Sequence, residues 1–278
     1  TDGERINEFV DRAYKVAING YPGAVHLSLP VDIMFSSFDE DVGSQERPFA
    51  IAAQAPARAW PEPEKLKAVL ARLAAAKRPV LIGGHGIWWS GAEALLEETG
   101  RRLNIPIFNI PYHQKLLGED CEAYMGLADV HQYHPSADAF NEADLVLMIG
   151  GRLDNQMNFG NPPLFPATTT LCCINGSHEE VDFNRAADMT LLSDPGAFLQ
   201  AVIDASASGD ISTDKGWFAL NRRRRAEWVA KMIADVEAVA ADDAFGGRIH
   251  PMQLALDVQT AMADEDWLVI DGGNTHFW

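Results

Sequence analysis

Apolar and polar positions along this chain fall into two rhythms, one of helical and one of strand period. Between residues 4 and 20, Ile6, Phe9, Val10, Ala13, Tyr14 and Ala17 share one face at helical spacing, and Gly20 and Pro22 end the helix. In "AVHLSLPVD", Val25, Leu27 and Leu29 alternate, which predicts a strand closed by Pro30. Residues 36 to 63 have no clear period and carry several prolines, the pattern of a linker. From Pro61 the two rhythms alternate regularly. "PEPEKLKAVLARLAAAKR" reads as a helix with prolines at its start, and "PVLIGG" as a strand ending in glycine. "SGAEALLEETGRRLN" reads as a helix with Ser90 and Glu93 as a capping box, and "IPIFNI" as a strand. Residues 111 to 135 are irregular. "PSADAFNEA" is then helical, "DLVLMIGG" and "TTTLCCIN" are strands, and "HEEVDFNRA" is a short helical turn. "DMTLLS" is a strand and "PGAFLQAVIDAS" a closing helix.

Strands and helices alternating at these lengths predict an α/β fold. Residues 61 to 206 form a doubly wound parallel sheet, Rossmann-like, with helices on both faces. Beyond a polar linker, Trp217, Leu220, Trp228, Met232 and Val236 keep close to helical spacing around the run Arg222 to Arg225. "IHPMQLALDVQTAMADED" is a further helix, and "WLVIDGG" starts a new strand and glycine turn. The pieces at 4 to 32 and 249 to 278 are partial α/β segments without a sheet of their own. Both read as parts of domains that continue elsewhere, and the absence of an initial Met agrees with processing or truncation.

Composition narrows the function. The chain has 278 residues, 22 basic against 40 acidic, for a net charge of −18. Such a field repels phosphate backbones and anionic membranes, which argues against nucleic acid as a partner. The arginine run is the local exception. It reads as a solvated helix face meeting acidic neighbours, with an anion or partner site as the other reading. No stretch reaches the roughly 18 apolar residues of a membrane span, and no signal peptide is visible. Three cysteines, an odd number without Cys-x-x-Cys spacing, read as buried reduced thiols in a cytoplasmic protein.

The order of these pieces carries a resemblance. "GYPGAVHLSLPVD", "RPVLIGGHGIWWSGAEA" (Gly84, Gly86, Ser90, Ala92), "ADLVLMIGGRLDNQMNFG" (Ala143, Asp144, Gly150, Arg152) and "IHPMQLALDVQTAM…WLVIDGGNTHFW" follow one another at characteristic spacing. Together they resemble the thiamine-diphosphate-dependent enzymes of the acetolactate synthase, oxalyl-CoA decarboxylase, 2-hydroxyacyl-CoA lyase and benzaldehyde lyase type. The resemblance implies the end of a pyrimidine-binding domain at 1–48, a central domain at 49–210, a connecting helix at 211–248 and the start of a diphosphate-binding domain at 249–278. It implies a parent with thiamine diphosphate and Mg2+ that makes or breaks C–C bonds beside a carbonyl. The first expectation is a carboligase acting on 2-keto acids, with a 2-hydroxyacyl-CoA lyase or oxalyl-CoA decarboxylase-like lyase as the alternative. A homodimer or homotetramer is implied for the parent. The family's Gly-Asp-Gly magnesium segment and its activating glutamate would lie after Trp278 and before Thr1, so the expectation is that this chain alone is inert.

Site residues follow from the same resemblance. Gly272, Gly273, Asn274 and Thr275 stand where the family's loop approaches the diphosphate. Glycines there allow close backbone approach, and N–H groups at a helix start suit an anion; a plain tight turn is the other reading. His276 is a candidate catalytic residue that would donate to a substrate carbonyl or carboxylate, or else a polar residue in a helix's first turn. Some relatives bind FAD or ADP on the central domain. Gly84, Gly86 and Arg152 are the candidate contacts, with a structural ion pair as the alternative for Arg152. Trp89 occupies the third glycine position of a dinucleotide fingerprint, and Asn175 and Ser177 stand where an Asp-x-Asp is common; both count against a conventional flavin site. His113, His131 and His134 lack the carboxylate or cysteine spacing of a metal site, so no metal ligands are assigned. His85 reads as a turn histidine. Trp88, Trp89 and Trp278 read as packing residues. A non-catalytic nucleotide-binding or structural module is the rival of a different class.

Overall fold

The computed structural model describes residues 3–19, 22–37, 57–111, 116–130, 133–207, 211, 214–241, 249–263, 266 and 268–269. Helix α1 (Ile6–Ile18) leads to residues 22–30 and to the single helical turn α2 (Val31–Met34). The strand expected at 25–29 does not form. Val25, Leu27 and Leu29 are exposed, and among the described residues no strand lies beside them to form a ladder.

The core follows. In chain order come α3 (Pro63–Ala75), β1 (Pro79–Gly83), α4 (His85–Ser90), α5 (Glu93–Leu103), β2 (Ile107–Asn109), β3 (Tyr124–Leu127), α6 (His134–Glu142) and β4 (Leu145–Ile149). Then come β5 (Thr170–Asn175), β6 (Met189–Leu192), α7 (Pro195–Ser206), α8 (Lys215–Ala241) and α9 (Pro251–Ala261). The six strands are all parallel, in the order β3-β2-β1-β4-β5-β6. β1 and β4, at the centre, are buried along their whole length. That is why their sequences are near-continuous apolar runs rather than alternating ones.

Adjacent residues of β2 show the double winding. A Cβ at Gly100 of α5 would lie 2.4 Å from Ile107 Cδ1, so Ile107 faces α5. Phe108 points the other way, edge-on to Phe140 of α6 at 5.1 Å, and Phe140 stacks on Phe165 from the loop after β4. Helices α3, α4 and α5 pack with α7, while α6 packs with α8.

Three local readings are corrected. Ser90 does not cap α5, which begins at Glu93 behind Ala92. It ends α4 instead, where its Oγ donates to the Asp194 carboxylate at 2.8 Å and accepts from Gly196 N at 3.0 Å. Asp194 in turn caps α7 by accepting from Ala197 N at 2.9 Å. Residues 178–186 form turns rather than a helix, because side chains redirect the backbone. Asp182 accepts from Ala187 N, Asn184 donates to Leu153 O, and both residues have left-handed φ, 59° and 69°. Finally, the irregular stretch before α6 contains β3, four residues interrupted by Gly126 at φ 112°.

Helix α8 confirms the acidic-neighbour reading of the arginine run. Arg222 meets Glu122, Arg223 meets Glu227, Arg224 meets Glu142 and Arg225 meets Glu119. Trp217 Nε1 donates to Pro79 O at 2.9 Å, which fixes the helix to the first residue of β1.

Replacing Gly100 by Val would force a side chain onto Ile107 and onto Ala123 Cβ, 2.7 Å from the added Cβ. A loss of roughly 1–3 kcal/mol in urea unfolding is expected. Burial pushes the Cys172 and Cys173 thiols from 9.0 up to about 12, and it raises Cys121 as well. The fold therefore favours the neutral thiols, a contribution present below about pH 9 and lost as pH rises to about 12. At pH 8 the native chain should leave the thiol reagent DTNB unconsumed, and the unfolded chain should consume it rapidly.

Candidate functional site

In a sheet of this order the connections leaving β1 and β4 run to opposite sides, and the crevice beyond their carboxyl ends is the standard ligand position. Two glycine pairs build its floor. Gly84 N donates to Ile149 O at 2.8 Å, and Gly86 N donates to Gly150 O at 2.7 Å. A Cβ at Gly84 would lie 2.4 Å from Gly151 Cα, and one at Gly86 2.8 Å from Gly150 Cα. The space freed by these missing side chains is occupied by the facing loop's backbone. Gly84 and Gly86 thus serve loop-to-loop packing in this structure.

Arg152, just beyond, sits with Nε 3.4 Å from Glu180 Oε2 and its guanidinium 4.9 Å above the Phe183 ring. This is the ion-pair geometry. Ser177 is also engaged locally, its Oγ accepting from Glu179 N at 3.3 Å.

Above the floor is a cavity of about 290 Å³, lined among others by Tyr14, Arg58, Trp89, Asn175 and Asp194. Arg58 donates to Ser90 O at 2.9 Å and lies 3.8 Å from Asp194. Asn175 ends β5 and is 1% exposed; its Nδ2 donates to Gly151 O at 3.4 Å, while Oδ1 is buried without a partner. The volume lies at the small end of the roughly 300–1,000 Å³ typical of ligand sites. Trp88 and Trp89, expected as packing residues, are 36% and 45% exposed. They form a cluster with His85, which begins α4 and stacks on Trp89 at 5.6 Å.

Sequence reasoning missed Arg58, Asn175's unmet acceptor and the Ser90–Asp194 link. Asn175 stands out only as a departure from an Asp-x-Asp, and an arginine in a linker carries no pattern that distinguishes it. His134 stacks on Trp228 at 4.9 Å, a structural placement. Gly272, Gly273, Asn274, Thr275, His276 and Trp278 lie outside the described residues, as do His113 and His131. Among the described residues no group of three or more His, Cys, Asp or Glu is placed to hold a metal ion. Asp154 caps the short helical segment Asn155–Gly160 by accepting from Gln156 N at 3.1 Å, and burial raises its pKa.

Comparison with known proteins sets this geometry in a family. Residues 66–202 match the family described as thiamine pyrophosphate enzyme, central domain. The acetolactate synthase large subunit of Mycobacterium tuberculosis is 26% identical over 271 residues, covering 98% of this chain and 45% of that protein. The 2-hydroxyacyl-CoA lyase 1 of Dictyostelium discoideum is 27% identical over 187 residues, 67% of this chain and 30% of the lyase. The chain thus spans less than half the length of these relatives. The crystal structure of benzoylformate decarboxylase from Polynucleobacter necessarius shares the fold, with a TM-score of 0.57 at 23% identity, over 73% of this chain and 37% of that one. Residues 66–202 thus carry the pattern of the thiamine pyrophosphate enzyme central domain.

Proposed function

We propose that this chain is the middle of a thiamine-diphosphate-dependent enzyme of the acetolactate synthase type, a carboligase acting on 2-keto acids. One observation carries the reading: the similarity to an acetolactate synthase extends over 98% of the chain, well beyond the central domain on both sides. The flanking pieces support it. Helix α1 exposes Phe9, Val10, Tyr14 and Val16, and the segment after it exposes Val31, Met34 and Phe35. Apolar faces of that size suit burial against further domains or a second subunit, in keeping with a homodimeric or homotetrameric parent. Division at 1–48, 49–210, 211–248 and 249–278 fits the same picture.

In the parent, Gly272, Gly273, Asn274 and Thr275 would meet the diphosphate, and Mg2+ would be held by residues outside this chain. When bound, thiamine diphosphate supplies the carbanion that adds to a carbonyl and holds the electrons released on C–C cleavage. His276 would donate a hydrogen bond to the substrate's carbonyl or carboxylate. The loop "RLDNQMNFG" also resembles the corresponding loop of the acyl-CoA lyases, and the similarity to a 2-hydroxyacyl-CoA lyase supports a lyase or decarboxylase as the alternative.

The test begins with the reading frame on both sides of these residues and continues with the encoded full-length protein. Given pyruvate, thiamine diphosphate and Mg2+, the parent should form acetolactate, and the 278-residue chain alone should not. Release of aldehyde without carboligation would move the reading to the lyase. Full activity of the chain alone would overturn it. In the parent, His276→Ala is expected to lower kcat by about 10²-fold, in line with loss of a positioned proton donor.

The second reading, a nucleotide-binding module, is favoured by the partnerless Asn175 Oδ1 in the crevice. ADP retained through purification and released by acid would support it. Saturating ADP that leaves the melting temperature unchanged would remove it.

A further inference from the structure

A second and larger cavity lies away from the β1/β4 crevice, beyond the carboxyl ends of β2 and β3, where α8 and α9 close the edge of the sheet. Its volume is about 700 Å³, inside the range of small-molecule sites. Tyr124, Tyr133, Trp228, Met232, Met252 and Leu256 are among the residues that line it. Val229 and Ile233, also on α8, line it and remain 44% and 46% exposed. An open apolar hollow of this size is uncommon on a surface with no use for it.

The polar groups around it are unequal. Arg225 is fully engaged. Its Nη1 donates to Tyr124 O at 2.9 Å, its Nη2 to Glu119 O at 3.3 Å and to the Glu119 carboxylate, and its guanidinium lies 5.1 Å over the Tyr124 ring. The charge of that arginine is matched by Glu119, so the lining offers no spare cation. Tyr133 OH donates to Met125 O. Asn109 differs. It ends β2, is 3% exposed and lines the cavity, and its backbone carbonyl already accepts from Ala128 N at 2.7 Å. Its side-chain Oδ1 is buried with no hydrogen-bond partner, and the side chain forms no hydrogen bond among the described residues. A buried amide in this condition calls for a partner from outside the chain.

We propose that this cavity binds an uncharged small molecule with an aromatic or branched apolar body and a single carboxamide or hydroxyl head. The body fills the aromatic and methionine-lined wall, and methionine's flexibility lets that wall fit differing shapes. The head donates a hydrogen bond to Asn109 Oδ1, and a carboxamide or hydroxyl head can also accept one from the Asn109 Nδ2. A charged ligand is disfavoured because it would lose its hydration to a wall whose one guanidinium is already paired. The site does not depend on which reaction the parent performs.

The experiment titrates the 278-residue chain with benzamide, benzoate and benzylammonium, using isothermal calorimetry and ligand-observed saturation-transfer NMR. Benzamide should bind saturably with a Kd of about 1 mM or tighter, and the two charged analogues about tenfold more weakly or worse. Met232→Trp, at a half-exposed position of α8, should fill the cavity and abolish binding. Asn109→Leu should weaken benzamide about tenfold, the loss of one buried hydrogen-bonded pair. If Asn109→Leu does not fold, the charge series and Met232→Trp decide. Absence of saturable binding, equal binding of benzoate, or binding that survives Met232→Trp would overturn the proposal. So would sedimentation in which Met232→Trp turns a dimer into a monomer, because the hollow would then be a contact between copies.

Discussion

Contact between two glycine turns, backbone against backbone, sets the position of almost everything else. Where Gly84 and Gly86 meet Gly150 and Gly151, the loops leaving β1 and β4 approach as closely as main chains can. Side chains on these glycines would force the loops apart. That contact fixes where α4 starts, and hence where His85, Trp88, Trp89 and Ser90 stand. Ser90 then fixes Asp194, which caps α7. A chain of short interactions thus runs from the centre of the sheet to the helix that follows its last strand. The same glycines that look like a nucleotide fingerprint in a linear reading are, in space, the fastener of the fold. Close approach to a phosphate and close approach to another main chain make the same demand for glycine, so composition alone does not separate them.

What was legible in the chain followed periodicity and burial. β1, β4 and β5 are runs of five or six residues almost wholly buried, and their apolar runs announced them. Helices α3, α5 and α7 and the arginine-bearing α8 kept a clear apolar face. What escaped notice was short or depended on a partner. Helix α4 has six residues between two glycine-marked ends, too few to show a period. β3 has four, broken by Gly126. The alternation of Val25, Leu27 and Leu29 is a true strand signal, but a strand needs a neighbour. Ser90 and Glu93 matched a capping box in spacing, yet Gly91 takes a left-handed turn between them and sends the serine elsewhere. At the site, Arg58 carried no pattern and Asn175 showed only as a departure from an Asp-x-Asp; their shared cavity appears only when the sheet brings them together.

The two cavities use one sheet in different ways. The smaller lies where connections part on either side of β1 and β4, and it carries charged and amide groups in Arg58, Asp194 and Asn175. The larger lies at the β3 edge, apolar and open, and is walled by helices that come late in the chain. An exposed sheet edge is ordinarily a hazard for unwanted strand pairing. Here α8 covers that edge, and Arg225 takes up the Tyr124 carbonyl, one of the edge's acceptor groups.

Helix α8 has a mechanical consequence. It runs for 27 residues, about 40 Å at the rise of an α-helix. Near its start it is bolted to the sheet by Trp217 on Pro79, and along its middle by arginines reaching Glu122, Glu142 and Glu119. A rod anchored over its first half and largely exposed over the second behaves as a cantilever. A few degrees of tilt at the anchored end become displacements of ångströms at the far end. The arginine bolts therefore set the angle at which the second half of the helix leaves the sheet.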